Sequence, residues 1–316
     1  MLTSFFGKSN PINYLILGAL LAIGYLFTQF ALGDLNLTFK STFSHLFFII
    51  ICVLVLLLLD FIVKKNGLTK SNTYTIFFFS CYSLMFPAIF FEHDIIFANF
   101  FLLLALRRLM SLRSDRNTSK KILDASLWIT LASLFYFWSL LFFIPLWIAV
   151  LQKPNFNYKQ MLVPFVGFFT VLVLNTAYQL IVNDSFAWLF EWKQNIGFDF
   201  TLYNSLAILI PLTLILTLYV WTSFFRFLQI PALPLRERPL FILLMYVSVT
   251  TIIIALCAPQ KTGAEVLFVL APFSIINANY IETSRRERQG DTESAEFWFK
   301  EFILWVALLL PFIAFL

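Results

Sequence analysis

The chain has 316 residues, 60% of them hydrophobic and 12% charged, with a mean hydropathy of +0.86. A soluble domain is roughly half apolar and a quarter charged, so the composition excludes a soluble globular enzyme, a disordered tether and a nucleic-acid-binding domain. The net charge of +5, from 22 Lys and Arg against 17 Asp and Glu, sits in short loops between apolar runs. Charge placed that way is a topology signal, not a nucleic-acid footprint.

The apolar runs predict membrane spans at Ile12–Phe30, Phe43–Val63, Thr75–Phe91, Met161–Val182, Leu202–Trp221, Leu240–Cys257, Val266–Tyr280 and Phe297–Ala314. Each is near the roughly 20 residues a helix needs to cross hydrocarbon. The first run has the length of a span and no small-residue cleavage site after it, so it reads as a span and not a removable leader. Cys52, Cys81 and Cys257 fall within apolar runs and read as small apolar side chains, with no disulfide framework and no CxxC pattern.

Two stretches fit less simply. Ile95–Leu106 is short and closes on Arg107 and Arg108, while Ile122–Leu151 is 30 residues long, too long for one span and too short for two. Positive charge resolves the second. Lys64, Lys65 and Lys70, then Arg107, Arg108, Arg113, Arg116, Lys120 and Lys121, then Lys153 and Lys159, then Arg226, Arg236 and Arg238, then Arg285, Arg286, Arg288 and Lys300 all go inside together with Lys8. This leaves only Lys40, Lys193 and Lys261 outside.

The arrangement requires Ile122–Leu151 to begin and end on one side. We therefore expect two short helices forming a hairpin over residues 122–151, broken between Ser133 and Ser139. A single long interfacial helix is the plainer alternative. Broken helices survive in a bilayer only where protein or an aqueous cavity covers the freed backbone groups. The expected fold is an all-α polytopic membrane bundle of about eleven transmembrane or re-entrant helices (nine to twelve), with the N-terminus cytoplasmic and residues 1–316 forming a single transmembrane domain. It carries no GxxxG face or strong inverted repeat.

The outer face carries the chemistry-bearing residues. Glu92, His93 and Asp94 lie where two helices meet, one turn after Pro87. Carboxylates there can bind a sugar or a divalent cation (Mg or Mn), or act as a base where burial raises a pKa; a solvated turn is the plainer reading. Asp34 follows the first span beside Gly33 and is placed to accept a hydroxyl proton, or is an ordinary loop residue. Lys261 lies in Pro259-Gln260-Lys261-Thr262-Gly263-Ala264-Glu265, where a cation beside a glycine can meet a phosphate; a loop ion pair with Glu265 is the alternative. The longest outer connection, residues 183–201, carries Trp188 and Trp192 among acids. That pattern suits the headgroup zone or a lid over a lipid-facing cavity.

Asp60 and Asp124 are expected to pair with nearby cations, His45 to hydrogen-bond at the interface, and Asn99, Asn175, Gln179, Asn204 and Asn277 are candidates for buried polar groups. With two histidines, a His-rich zinc site is disfavoured. No P-loop, dinucleotide fingerprint, HExxH or GxSxG is present.

Residues 92–154, with an outer acidic turn, the short helix IIFANFFLLLALRRL, a basic loop and ILDASLWITLASLFYFWSLLFFIPLWIAVLQKP, resemble membrane-embedded glycosyltransferases of the C fold, which use polyprenyl-phosphate sugars. Asp94 matches the acid at that family's helix start. PQKTGAEVLFVLAPFSIINANYIE is a second similar segment, in which Lys261 and Pro272 match and Glu265-Val266 replaces the family's Arg-Tyr. The resemblance covers about a third of the chain. It departs from the family in its short first outer loop, with Asp34 in place of an Asp-Glu pair.

The resemblance implies inverting sugar transfer from a polyprenyl-phosphate-linked donor to an envelope lipid, glycan or protein acceptor. Asp34 or Asp94 would act on the acceptor, Lys261 on the leaving phosphate, and Glu92, His93 and Asp94 on sugar or metal. The chain also resembles polytopic inner-membrane proteins of Bacteroidota, which implies a bacterial cytoplasmic (inner) membrane. Two other classes stay open: a noncatalytic scaffold for envelope protein partners, and a lipid or solute transporter.

Overall fold

The computed structural model describes residues 2–33, 38–114, 116–153, 157–235, 237–283 and 293–314. Asp34, Arg236, Arg285, Arg286 and Arg288 lie outside these residues. The described residues contain helices and no strand. In chain order the helices are α1 (Leu2–Phe6), α2 (Pro11–Leu32), α3 (Phe39–Asn66), α4 (Tyr74–Leu84), α5 (His93–Ser111), α6 (Thr118–Phe135) and α7 (Phe143–Leu151), then α8 (Tyr158–Asn183), α9 (Trp188–Glu191), α10 (Leu206–Gln229), α11 (Arg238–Leu256), α12 (Leu267–Thr283) and α13 (Glu293–Ala314). Among the described residues, six segments are long and apolar enough to cross a bilayer: α2, α3, α8, α10 with the turn that follows it, α11, and α12 with the turn that precedes it.

The helices group into two compact units. Unit 1 takes Met1–His93, Phe200–Leu233 and Thr262–Leu316; unit 2 takes Asp94–Asp199 and Pro234–Lys261.

In unit 1, local signals set the helix ends. Pro11 starts α2, where its fixed φ is suited to a first helical position and its missing N–H costs nothing. The Ser41 hydroxyl accepts the Thr38 N–H at 2.9 Å at the start of α3. Gly67 closes α3 with φ +65, a left-handed conformation that glycine adopts without a Cβ penalty. The expected span Thr75–Phe91 is shorter than its hydropathy predicts. Its helix stops after 11 buried residues, and a 3₁₀ turn at Pro87–Phe90 follows. The cause is Pro87, which bars the helical conformation at Phe86 (φ −124, ψ 83).

At the centre of unit 1, α12 is 94% buried over its apolar window, against 22% for α10. Asn277 joins three helices: its amide donates to Tyr82 Oη on α4 at 2.7 Å, and its oxygen accepts from Thr222 Oγ1 on α10 at 2.7 Å. In hydrocarbon, where apolar burial does not drive helix association, such bonds fix which helix meets which.

The five-residue α1 is too short to persist by itself, and side chains hold both of its ends. Glu301 of α13, 2% exposed, accepts from Leu2 N (2.5 Å), Thr3 N (3.1 Å) and Thr3 Oγ1 (2.6 Å). At the other end Tyr74 Oη donates to Thr3 O, Thr73 N and Oγ1 donate to Phe6 O, and Asn13 Nδ2 donates to Phe5 O.

In unit 2 the 30-residue apolar run breaks at Tyr136, inside the interval expected from the sequence, between α6 and a 3₁₀ turn at Phe137–Phe142 that leads into α7. The two ends of this segment meet, because Lys153 Nζ donates to Thr118 Oγ1 at 2.6 Å. Tyr136 Oη donates to Ile254 O of α11 at 3.1 Å and anchors the break. α8 runs tightly along α6 at Gly167, where a methyl group would collide with the Ser126 side chain. The small residue permits that approach. At the inner ends expected from charge, Arg108 pairs with Asp124 at 2.8 Å in unit 2 and Lys64 with Asp60 at 3.1 Å in unit 1.

Candidate functional site

The three residues Glu92, His93 and Asp94 divide between the units. Glu92 and His93 end the first stretch of unit 1, and Asp94 opens unit 2 in the first turn of α5. Glu92 is half-buried, while Asp94 is exposed at a helix start, where the peptide dipoles favour a carboxylate. The His93 ring lies flat on Phe48 of α3, with centroids 3.6 Å apart and planes 10° apart. One turn earlier on α3, His45 Nδ1 is 3.1 Å from Tyr25 Oη, so the two histidines, distant in sequence, share one end of unit 1.

Among the described residues no three His, Cys, Asp or Glu side chains are grouped as metal ligands. The expected Mg or Mn site at Glu92, His93 and Asp94 therefore lacks a ligand set here: the imidazole lies against Phe48 while Asp94 stands exposed.

Lys261, 3% exposed, donates to Ala255 O (3.2 Å) and Leu256 O (2.5 Å), capping the carbonyl end of α11 where a cation is favourable. Its charge also bears on Cys257. Burial pushes that thiol above its ordinary value, and Lys261 pulls it back down.

In unit 1, Glu265 is 1% exposed and accepts from Tyr203 Oη at 2.8 Å and from Thr262 Oγ1 at 3.5 Å. It sits in a 3₁₀ turn that begins at Gly263 with φ +89. The Tyr203 partner of Glu265 is distant in sequence. Of the polar candidates, Asn99 and Asn277 are buried and Asn204 is exposed.

The connection between α8 and α10 lies, within unit 2, against the α6 break. Trp192 Nε1 donates to Ser133 O at 2.6 Å, and Phe137 N–H donates to Gln194 Oε1 at 3.3 Å. Further along, Gly197 N–H donates to Ala258 O at 3.1 Å. The bonds to Ser133 O and from Phe137 N–H satisfy backbone groups that the broken helix leaves open, which is the cover such a break requires. Ring contacts link Trp188 to Trp192 (6.0 Å), Trp192 to Phe137 (5.2 Å) and Phe137 to Trp138 (5.4 Å). Beside them, Trp138 Nε1, Ser139 Oγ and Trp188 Nε1 are buried atoms with no hydrogen-bond partner among the described residues. Trp138 and Ser139 escaped the sequence reading because they sit inside an apolar run, where nothing local marks a missing partner.

In unit 1 a groove of about 490 Å³ runs along α10, lined by Leu216, Thr217, Val220, Trp221 and Phe224. Its lining includes none of Glu92, His93, Asp94 and Lys261, and its apolar walls suit lipid chains.

With six helices among the described residues long and apolar enough to span a bilayer, the chain is a multi-pass membrane protein. It belongs to the DUF6427 family, a family of unknown function, which it matches over residues 29–316. No curated protein and no solved structure matches it.

Proposed function

We propose that this protein transfers a sugar from a polyprenyl-phosphate donor to an envelope lipid, glycan or protein acceptor at the outer face of a bacterial inner membrane, in a bundle related to the C-fold glycosyltransferases. The observation that carries this reading is the construction of unit 2. A broken pair of helices, α6 and α7, is covered by an aromatic outer connection, and the same unit holds the exposed carboxylate of Asp94 and the buried ammonium of Lys261. Broken helices at membrane depth accompany sites that handle polar groups there.

Asp94 would accept the acceptor's proton as the new glycosidic bond forms and the polyprenyl phosphate departs. Lys261 would steady the departing phosphate while holding the end of α11.

A second reading, a noncatalytic membrane subunit, is favoured by one observation: Lys261 already donates to two backbone carbonyls. Purified protein incubated with lipid-linked sugars separates the two. Turnover that Asp94→Asn lowers by at least tenfold supports transfer; turnover unchanged in Asp94→Asn rejects Asp94 as the base; binding without turnover by the wild type favours the noncatalytic subunit.

A further inference from the structure

The basic rim of unit 2, at the end where α6 and α8 begin, holds two kinds of cation. The first kind is occupied within the protein. Arg108 pairs with Asp124 at 2.8 Å, Lys121 Nζ donates to Ser111 O (2.7 Å), Ser114 O (3.0 Å) and Ser114 Oγ (2.5 Å), and Lys153 Nζ donates to Thr118 Oγ1 at 2.6 Å. The second kind is Arg113, Arg116, Lys120 and Lys159, which are exposed and which, among the described residues, make no ion pair. Either kind meets the need for positive charge on the inner side of a membrane. Only the second leaves its charge open to another molecule.

Packing gathers these four. The Lys121 bonds fold the loop that carries Arg113 and Arg116 back onto the first turn of α6. At Gly167 an added methyl group would meet the Ser126 side chain and the Leu127 nitrogen, so α8 and α6 touch there. The Lys153–Thr118 bond sets the connection into α8 at the start of α6, so the two helices run in the same direction. Lys120 lies seven residues before Leu127 on α6, and Lys159 eight before Gly167 on α8. Both are therefore about two turns down one seam. Packed helices lie about 8–10 Å apart, so Lys120 and Lys159 flank the entrance of that seam within reach of a single phosphate group.

The surface below the rim is apolar. Leu162, Phe165 and Val166 on α8 are exposed, and α8 is buried over only 11% of its apolar window. Leu162 follows Lys159 by one turn, so charge gives way to bare hydrocarbon within about 5 Å along the helix. Cations at headgroup level above an apolar wall match a lipid with a charged head and acyl chains. A nucleic acid or an acidic protein would supply the charge and leave the wall uncovered.

We infer that the entrance of the α6–α8 seam, with the loop before α6, binds the headgroup of an anionic phospholipid through Arg113, Arg116, Lys120 and Lys159, while its acyl chains lie along α8. The inference does not depend on sugar transfer.

The test is native mass spectrometry of the full chain in detergent with equal amounts of phosphatidylglycerol and phosphatidylcholine, where orientation in a membrane plays no part. The unaltered protein is expected to retain phosphatidylglycerol preferentially, and less so as salt is raised. Arg113→Gln, Arg116→Gln, Lys120→Gln and Lys159→Gln are each expected to lower that preference about fivefold, and Lys120→Gln with Lys159→Gln about 25-fold. Arg113→Lys and Arg116→Lys are expected to keep it. Thermal unfolding establishes that each variant folds, and the salt dependence in unaltered protein carries the test where a variant does not.

Equal retention of the two lipids by unaltered protein, a preference indifferent to salt, or wild-type preference in the four glutamine variants would overturn the inference. So would an equal loss in Lys8→Gln of unit 1, which would trace the preference to net charge alone. Displacement of the lipid by an oligonucleotide would reassign the rim to nucleic acid.

Discussion

The clamp of Glu301 on α1 offers a quantitative test of how unit 1 is closed. Its carboxylate accepts from Leu2 N, Thr3 N and Thr3 Oγ1 while 2% exposed. Glu301→Gln preserves the shape but exchanges one acceptor oxygen for an NH₂ group that faces donors. Hydrogen bonds to charged groups are worth about 1.5–3 kcal/mol each, so weakening two of the three costs about 3 kcal/mol. At about 1.4 kcal/mol per tenfold, that is a rise of roughly 150-fold in the population with α1 detached. The rest of the bundle should stay folded, because a helix of this length opens locally.

Thr73 reports the opening from the opposite end of α1, since its N–H donates to Phe6 O at 2.9 Å. Hydrogen exchange on the full chain in nanodiscs should therefore speed up at Thr73 by about two orders of magnitude in Glu301→Gln, with Ile129 of α6 unaffected. Exchange at Thr73 within threefold of the wild type would refute the clamp.

Other consequences are tested more simply. Asn277→Leu removes the partner of both Tyr82 and Thr222 and should destabilise the bundle by about 1–2 kcal/mol in denaturant titration, the range for buried polar bonds between membrane helices; an unchanged midpoint would show the bonds carry no weight. Gly167→Ala should cost about 1–3 kcal/mol by overpacking α8 on α6, with the loss seen as faster exchange along α6, and Gly167→Ser should be worse. Gly67→Ala meets no atom within 4 Å, so its cost of about 1 kcal/mol comes from φ +65 alone; a loss well above that would refute a purely backbone origin. Lys261 lowers the Cys257 thiol pKa that burial raises, so in Lys261→Met the pH of half-maximal alkylation of Cys257 should move upward; a downward move would contradict the pairing. Cysteines placed at 121 and 153 should label from one side of the membrane, as the Lys153–Thr118 bond requires.

Particular elements show where sequence reading succeeds. The break in Ile122–Leu151 lies at Tyr136, inside the Ser133–Ser139 interval expected for a run too long for one span. Asp60 and Asp124 find cations close by in the chain or across one loop, at Lys64 and Arg108. By contrast, the expected span from Thr75 ends early at Phe86 and Pro87, since hydropathy averages over a proline whose effect is steric. The ring of His93 lies on Phe48, a residue 45 positions earlier in the sequence, a contact that nothing beside His93 in the chain announces.

The sequence by itself determined the solvent of this protein and the helical character that follows from it. Hydrocarbon leaves backbone groups no partner but one another, and composition is enough to announce that condition. Only the tertiary structure decided which polar side chains are paired and which are not. Glu301 and Asn277 find donors and acceptors on other helices, while Trp138 Nε1 and Ser139 Oγ find none among the described residues. The physical reason is that a hydrogen bond depends on two atoms within about 3 Å, and atoms brought together by folding leave no mark on the residues that lie beside them in the chain.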